Sequence, residues 1–190
     1  ATSLLEELCL FRVLDPACGC GNFLYIAYRE LRALEALLKR RVQELAHTAG
    51  LPQPTGLPFV RLDNMQGIEI DPIAAFNARV TLWMGHRQMI DHYGPAENPL
   101  PLVTLSTIQG GTDALRAQWP KTDCIIGNPP FLGSQLIRKA HGDAYVDWLK
   151  KEFKVGVKDY CVYWFRRAVD HLQPGQRAGL VGTNSISQNR

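Results

Sequence analysis

The stretch DCIIGNPPFLGS, residues 123–134, predicts a strand that stops in a rigid edge. The apolar run Cys124–Ile126 is typical of a buried strand. Asn128 then precedes two consecutive prolines, and Phe131 follows them. Two prolines remove two backbone donors and fix two φ angles, so a strand ladder cannot continue through them. The strand end therefore presents a carboxamide on one side and an aromatic ring on the other.

The composition is that of a folded globular protein. The chain has 190 residues, of which 46% are apolar and 21% charged, as expected for one domain with a substantial core rather than a disordered chain or a coiled coil. No apolar run approaches the roughly 20 residues of a membrane span, and the N-terminus lacks the pattern of a signal peptide. We therefore expect a cytoplasmic protein with no membrane partner. The net charge of +3 is too small to indicate a polyanionic partner by itself.

The five cysteines indicate neither a disulfide framework nor a metal site. Their number is odd, and no two form a C-x-x-C pair. Reduced thiols in a reducing compartment are the simplest interpretation.

Strands and helices alternate along the chain. The predicted strands are 11–14, 66–70, 102–108, 124–127 and 177–182. The predicted helices run from 22 to about 47, from 71–72 to about 89, near 143–153, and from about 161 until the Pro-Gly pair at 174–175. Residues 50–64 are proline-rich and predict a loop. Repeated β-α-β units favour an α/β fold, with a mostly parallel sheet covered by helices on both faces.

The first strand leads into the loop DPACGCGNF, residues 15–23. Gly19 and Gly21 would let the backbone approach a ligand at the carboxyl edge of the sheet, where open α/β sheets bind cofactors. The dinucleotide fingerprint needs a third glycine where this chain has Leu24, and a phosphate loop of the G-x-x-x-x-G-K-[ST] type is also missing. The sequence therefore predicts a ligand without a pyrophosphate.

Two acidic residues follow the next strands. Glu69, within GIEIDP, stands where a carboxylate can accept hydrogen bonds from the cis-diol of a ribose. Asp113, within GGTDAL, could pair with the exocyclic amine of an adenine, or it could simply cap a helix that begins at Ala114. Together with the glycine loop, Glu69 favours a nucleoside cofactor.

Four motifs in order resemble those of S-adenosylmethionine-dependent amino-methyltransferases that act on DNA adenine. They are VLDPACGCGNFL at 13–24, GIEIDP at 67–72, GTDAL at 111–115 and IIGNPPF at 125–131. The text after Phe131 is similar, more narrowly, to the methyltransferase part of MmeI-like type II restriction-modification enzymes. The resemblance covers nearly the whole chain and implies a Rossmann-like class I methyltransferase fold.

The resemblance also implies a cofactor, a substrate and site residues. The cofactor would be S-adenosylmethionine and the substrate double-stranded DNA. The positions that match the cofactor motifs are Asp15, Pro16, Ala17, Gly19, Gly21, Phe23, Glu69, Ile70, Asp113 and Asn128. The positions that match the catalytic motif are Asn128, Pro129, Pro130 and Phe131.

The chemistry of the adenine amine explains the rigid edge. Its lone pair is delocalised into the ring, which makes it a poor nucleophile. If the Asn128 side-chain oxygen and the Pro129 carbonyl accept its two N–H bonds, they favour the geometry that directs the lone pair at the sulfonium methyl group. Phe131 would stack on the flipped base.

Three other functions remain open. Glutamine-directed protein methyltransferases and RNA amino-methyltransferases also use N-P-P-[FY], and a noncatalytic cofactor-binding or DNA-scaffolding domain is a third alternative. Cytosine C5 chemistry is disfavoured because it needs a thiolate nucleophile, and Cys18 and Cys20 lie in the cofactor loop instead.

The family pattern also predicts what the chain lacks. Only ten residues precede the first strand, Cys20 replaces the usual serine or threonine, and residues beyond the fifth strand are few. We therefore expect residues 1–190 to be a partial methyltransferase catalytic domain, truncated after the fifth strand. Its target-recognition and endonuclease segments would lie elsewhere in a parent chain, and the piece alone would be inactive.

Overall fold

A five-stranded parallel sheet forms the centre of the molecule. The computed structural model describes residues 2–94 and 105–184. The strands run β3-β2-β1-β4-β5 across the sheet, and every neighbouring pair is parallel. Their bounds are β1 Val13–Asp15, β2 Met65–Glu69, β3 Ile108–Gly110, β4 Cys124–Gly127 and β5 Arg177–Leu180. Because β1 lies centrally and its neighbours β2 and β4 come later in the chain, the strand order reverses beside β1, where such sheets bind ligands.

Six α-helices connect and flank the strands in the described residues. Their bounds are α1 Thr2–Leu10, α2 Asn22–Thr48, α3 Pro72–Tyr93, α4 Ser134–His141, α5 Asp143–Phe153 and α6 Cys161–His171. The start of α3 follows directly from its sequence: Asp71 Oδ1 accepts a hydrogen bond of 2.8 Å from the Ile73 amide, and Pro72 occupies the first helical position.

The sheet carries a separate apolar core on each face. Val13 and Leu14 are adjacent in β1, yet they belong to different cores because successive strand residues point to opposite faces. Side chains of α1, α2 and α3 build the core around Val13, and those of α4, α5 and α6 build the core around Leu14. The predicted α/β fold with helices on both faces is therefore confirmed.

The prediction for the third strand was wrong in position. Residues 102–104 lie outside the described residues, and Leu105 begins a turn in which its carbonyl accepts from the Ile108 amide at 3.2 Å. The strand starts at Ile108, where the prediction ended it. Gly110, at the end of β3, lets this strand pack closely against α3, because a Cβ there would lie 2.8 Å from the Ala75 Cβ of α3.

Two helices were not predicted, and one strand is shorter than predicted. The sequence did not predict α1 and α4. The fifth strand ends at Leu180 rather than at Gly182. The other boundaries differ by a few residues at most, except that α3 continues to Tyr93. Short helices such as α4 span too few turns for a clear apolar period.

Among the described helices, none combines the length and the apolar character that crossing a membrane would require.

A buried charge network joins α2 to the proline-rich loop. The Arg32 and Glu35 side chains are 1% and 3% exposed, and Arg32 Nη1 lies 3.1 Å from Glu35 Oε2. Glu35 also accepts hydrogen bonds from Lys39 Nζ at 2.7 Å and from the Val60 amide at 2.8 Å. One carboxylate therefore satisfies two cations and one backbone donor, which fixes the loop against the helix.

We expect Glu35→Ala to lower the free energy of unfolding by about 3–5 kcal/mol, because it leaves the Arg32 guanidinium buried without its partner. Glu44→Ala on the same helix is the matched control. Glu44 pairs with Arg40 and Arg41 at the surface, and its loss should cost no more than about 1 kcal/mol. Urea denaturation followed by circular dichroism measures both. Equal unfolding midpoints for the two variants would contradict the structural role of Glu35.

Candidate functional site

The carboxyl ends of the strands surround one cavity of about 480 Å³, a size typical of small-molecule sites. Eight of the predicted site residues line it. They are Pro16, Ala17, Glu69, Ile70, Asp113, Asn128, Pro130 and Phe131. The structure thus brings the motifs after β1, β2, β3 and β4 to a single place, as parallel strands require.

Asp15 lies beneath the cavity lining rather than in it. Its side chain is buried, and Oδ1 accepts a hydrogen bond of 3.0 Å from the Ala17 amide. Burial raises the pKa of this carboxyl to about 7, against the lowering effect of the Ala17 bond. Gly127 packs directly on it: a Cβ there would lie 2.5 Å from Asp15 Oδ1, and the φ of +152° is one that other residues rarely adopt. Asp15 therefore joins the loop after β1 to the start of the Asn128–Phe131 motif.

The two glycines of the loop have different surroundings. A Cβ at Gly19 would meet nothing within 4 Å, so this backbone is open to a ligand. Gly21 has a φ of +83°, and a Cβ there would lie 3.0 Å from Ala78 of α3. The missing side chain lets α2 start close to α3. Phe23 is 42% exposed and does not line the cavity.

Glu69 connects two loops while it lines the cavity. Its Oε2 accepts a hydrogen bond of 2.8 Å from the Gly19 amide, and its Oε1 accepts one of 2.9 Å from the Asp71 amide. A carboxylate has about four lone-pair sites, so each oxygen can still accept a further bond. Glu69 can therefore hold both loops and bind a diol at the same time.

Asp113 does not cap a helix. Its Oδ1 accepts from the Leu115 amide at 2.9 Å, but the residues that follow form a turn, in which the Arg116 and Ala117 amides both bond to the Asp113 carbonyl. Its Oδ2 accepts a hydrogen bond of 2.9 Å from the Tyr145 hydroxyl. The alternative interpretation as a helix cap is therefore wrong, and the carboxylate faces the cavity.

The Asn128–Phe131 motif presents unengaged polar groups. The Asn128 side chain is exposed and lines the cavity, and it makes no hydrogen bond to any residue that the structure describes. Pro129 is buried and does not line the cavity, whereas Pro130 is exposed and Phe131 is 47% exposed. The amide is thus held at a fixed strand end and left free to accept hydrogen bonds from a substrate.

Sequence reasoning missed the aromatic wall of the cavity. This wall consists of His141, Tyr160 and Trp164, which all follow the Asn128–Phe131 motif in the chain. Trp164 donates from Nε1 to the Pro16 carbonyl at 3.1 Å, which ties α6 to the loop after β1. The aromatic density of DYCVYWF at 159–165 could have indicated Tyr160 and Trp164. A buried indole such as that of Trp164 needs a hydrogen-bond acceptor, which places it near a backbone carbonyl or another polar group. The other lining residues outside the prediction are Ile68, Thr112, Ala114 and Leu132.

Known proteins are similar to this chain in sequence. A curated relative, DNA methyltransferase A of Bacillus subtilis (strain 168), is 31% identical over 201 residues, which cover 98% of this chain and 22% of the relative. A putative type II restriction enzyme and methyltransferase of Methanocaldococcus jannaschii is 34% identical over 89 residues, which cover 47% of this chain and 7% of that protein. The chain therefore spans about a fifth of the length of the first relative.

A solved structure agrees in fold. The type IIL restriction-modification enzyme MmeI, determined in complex with DNA, superposes with a TM-score of 0.71 and 29% identity, covering 98% of this chain and 27% of that one. The family "MmeI, DNA-methyltransferase domain" matches residues 1–190 of this chain. With four motifs converging on one cavity and a family match along its entire length, this chain belongs to the family of the MmeI DNA-methyltransferase domain.

Proposed function

We propose that the chain is the catalytic core of a restriction-modification methyltransferase that transfers a methyl group from S-adenosylmethionine to the N6 amine of a flipped adenine in DNA. The observation that carries the proposal is the cavity at the sheet edge, which joins Glu69 and Asp113 to the rigid motif Asn128–Phe131. The B. subtilis relative is named a DNA methyltransferase, which favours DNA as the substrate and hence the cytoplasm as its location.

The residues present fit an adenosyl cofactor. Glu69 retains lone pairs for the ribose hydroxyls, Asp113 retains an acceptor for the adenine amine, and Ile70 offers an exposed apolar side chain for the ring. The backbone at Gly19 is open. When bound, the cofactor supplies an electrophilic methyl group on a sulfonium sulfur.

The strand end positions the amine of the target base. The Asn128 oxygen, at the cavity, would accept one of its N–H bonds. The backbone carbonyl of Pro129, whose residue is buried beside the lining, would accept the other, and together they would direct the lone pair at the methyl group. With the cofactor held there, the nitrogen would gain the methyl carbon as the carbon–sulfur bond breaks, and it would lose a proton to solvent. Prolines on the carboxyl side of Asn128 fix these acceptors, so catalysis comes from positioning rather than from a strong base.

Phe131 captures the flipped base. Its half-exposed ring lies at the cavity beside Asn128, and an enzyme can reach a base inside a duplex only by extruding it. Stacking on an aromatic ring then offsets part of the cost of unpairing.

A methyl-transfer assay on several substrates tests the substrate class. Full-length protein would be given duplex DNA, RNA and a glutamine-containing peptide with radiolabelled S-adenosylmethionine, and the product would be mapped by base and position. We expect N6-methyladenine in DNA alone, at sites set by sequence outside these 190 residues. Transfer to RNA or to glutamine but not to DNA would overturn the proposal, and cofactor binding without any transfer would indicate a scaffold.

We expect Glu69→Gln to weaken S-adenosylmethionine binding by about tenfold to a hundredfold, because the amide nitrogen cannot accept a bond as the carboxylate does. Isothermal titration calorimetry measures the change. Asp71→Asn, two residues away, is the matched control: Asp71 caps α3 but does not line the cavity, so its affinity should stay at the parental value. Equal affinities for both variants would show that Glu69 does not contact the cofactor.

We expect Asn128→Ala to abolish methylation while cofactor affinity stays unchanged, because the amine loses an acceptor. Phe131→Ala should weaken binding of duplexes with an extrahelical adenine by about 1–3 kcal/mol, the typical value of one base stacked on a ring. Fluorescence of 2-aminopurine at the target position reports base flipping in each variant.

Leu136→Ala provides the control for both, because Leu136 is a 52% exposed side chain on α4 that does not line the cavity. It should methylate and flip like the parent. Parental rates in Asn128→Ala would mean that the proline edge is purely structural.

A further inference from the structure

The structure assigns Tyr145 as a positioning residue for Asp113: it holds this carboxylate in the orientation that selects an amino-purine over an oxo-purine in the cofactor. The inference rests on the proposed function and deepens it. Tyr145 itself does not line the cavity, so it acts through Asp113 rather than by touching the ligand.

Three oxygens form a chain that ends at the cavity. The Tyr145 hydroxyl lies 2.9 Å from Asp113 Oδ2 and 2.8 Å from the Tyr160 hydroxyl. A hydroxyl has one proton to donate, and a carboxylate can only accept. Tyr145 therefore donates to Asp113, and Tyr160 must donate to Tyr145.

The direction of this chain does not change with pH in the working range. Burial raises the pKa of Tyr145 far above its ordinary value, with the Tyr160 hydrogen bond as the next cause, and it raises the pKa of Tyr160 to about 12. Both hydroxyls thus remain protonated donors at neutral pH.

Further contacts fix the carboxylate from its own turn. The Leu115 amide holds Oδ1 from the turn, and Arg116 Nε lies 3.7 Å from Oδ2. The Arg116 guanidinium in turn lies over the rings of Tyr145 and Trp148, at 4.9 and 4.7 Å from their centroids. Asp113, whose side chain is 20% exposed, is therefore held between the β3 loop and α5.

A fixed carboxylate discriminates by its lack of donors. It accepts a hydrogen bond from the 6-amino group of adenine, but it faces the 6-oxo group of hypoxanthine with lone pair against lone pair. This discrimination depends on direction, because a carboxylate that can rotate also turns away from an unfavourable partner. Removing the Tyr145 hydroxyl should therefore reduce selectivity more than it reduces binding in general.

The test compares two ligands in the full-length protein. Calorimetry measures the affinities for S-adenosylhomocysteine and for S-inosylhomocysteine, in which hypoxanthine replaces adenine, and their ratio is the readout. Tyr145→Phe should lower this ratio about threefold to tenfold, the range for loss of one hydrogen bond. Tyr163→Phe is the matched control: among the residues that the structure describes, its buried hydroxyl accepts a hydrogen bond only from the Lys158 amide, at 3.4 Å. The ratio should stay at the parental value.

A second variant shows whether Tyr145 acts through Asp113. Asp113→Asn presents an amide that can donate or accept, so it should bring the two affinities close together. The double variant, Asp113→Asn with Tyr145→Phe, should then have the same affinity ratio as Asp113→Asn alone. The inference is overturned if Tyr145→Phe lowers both affinities equally. It is also overturned if Tyr145→Phe lowers the ratio in the Asp113→Asn background by as much as it does in the parental protein. Parental protein that binds neither ligand would instead overturn the proposed cofactor, and the inference with it.

Discussion

The contact between the buried Asp15 carboxylate and the bare backbone of Gly127 is the constraint on which the site depends. Asp15 ends β1 and Gly127 ends β4, and no side chain fits between them. Because the same carboxylate accepts from the Ala17 amide, the loop after β1 and the Asn128–Phe131 motif after β4 are positioned by one group. Desolvation of this group is a cost in stability that the fold sustains at its centre.

Around this contact, hydrogen bonds link each loop to its neighbour across the sheet edge. Glu69 joins the loops after β1 and β2, and Trp164 joins α6 to Pro16. Asp113 joins the loop after β3 to α5 through Tyr145. The cavity is therefore bounded by side chains that are already held in place, which reduces the ordering that a ligand must bring about when it binds.

The sequence alone predicted the sheet, most helices and eight residues of the cavity lining. These succeeded because they depend on local signals: apolar runs, the Asp71–Pro72 helix start, and acids and glycines that follow strands. The third strand was predicted at 102–108 and lies at Ile108–Gly110. The prediction was wrong because an apolar, β-branched run is typical of a strand even where the chain turns. The aromatic wall was missed because His141, Tyr160 and Trp164 reach the cavity through packing of α4 and α6, which no short spacing in the sequence encodes.

Asp15, Gly21 and Phe23 are predicted site residues that do not line the cavity, and the sequence could not show this. A family motif groups residues by their order in the chain, so it does not separate a residue that lines a cavity from one that supports the lining. Only the packing distances of Gly127 on Asp15 and of Gly21 on Ala78 make that distinction.

The double engagement of Glu69 has a consequence for protein engineering. A designer who wishes to change the ligand of this cavity cannot freely replace Glu69, because its hydrogen bonds from the Gly19 and Asp71 amides would be lost with it. Asp113 is the more adaptable position, since its supporting hydroxyl comes from a side chain that can be redesigned with it. Under the proposed function, altered cofactor specificity in this chain would be sought in the pair Asp113 and Tyr145, with Glu69 left in place.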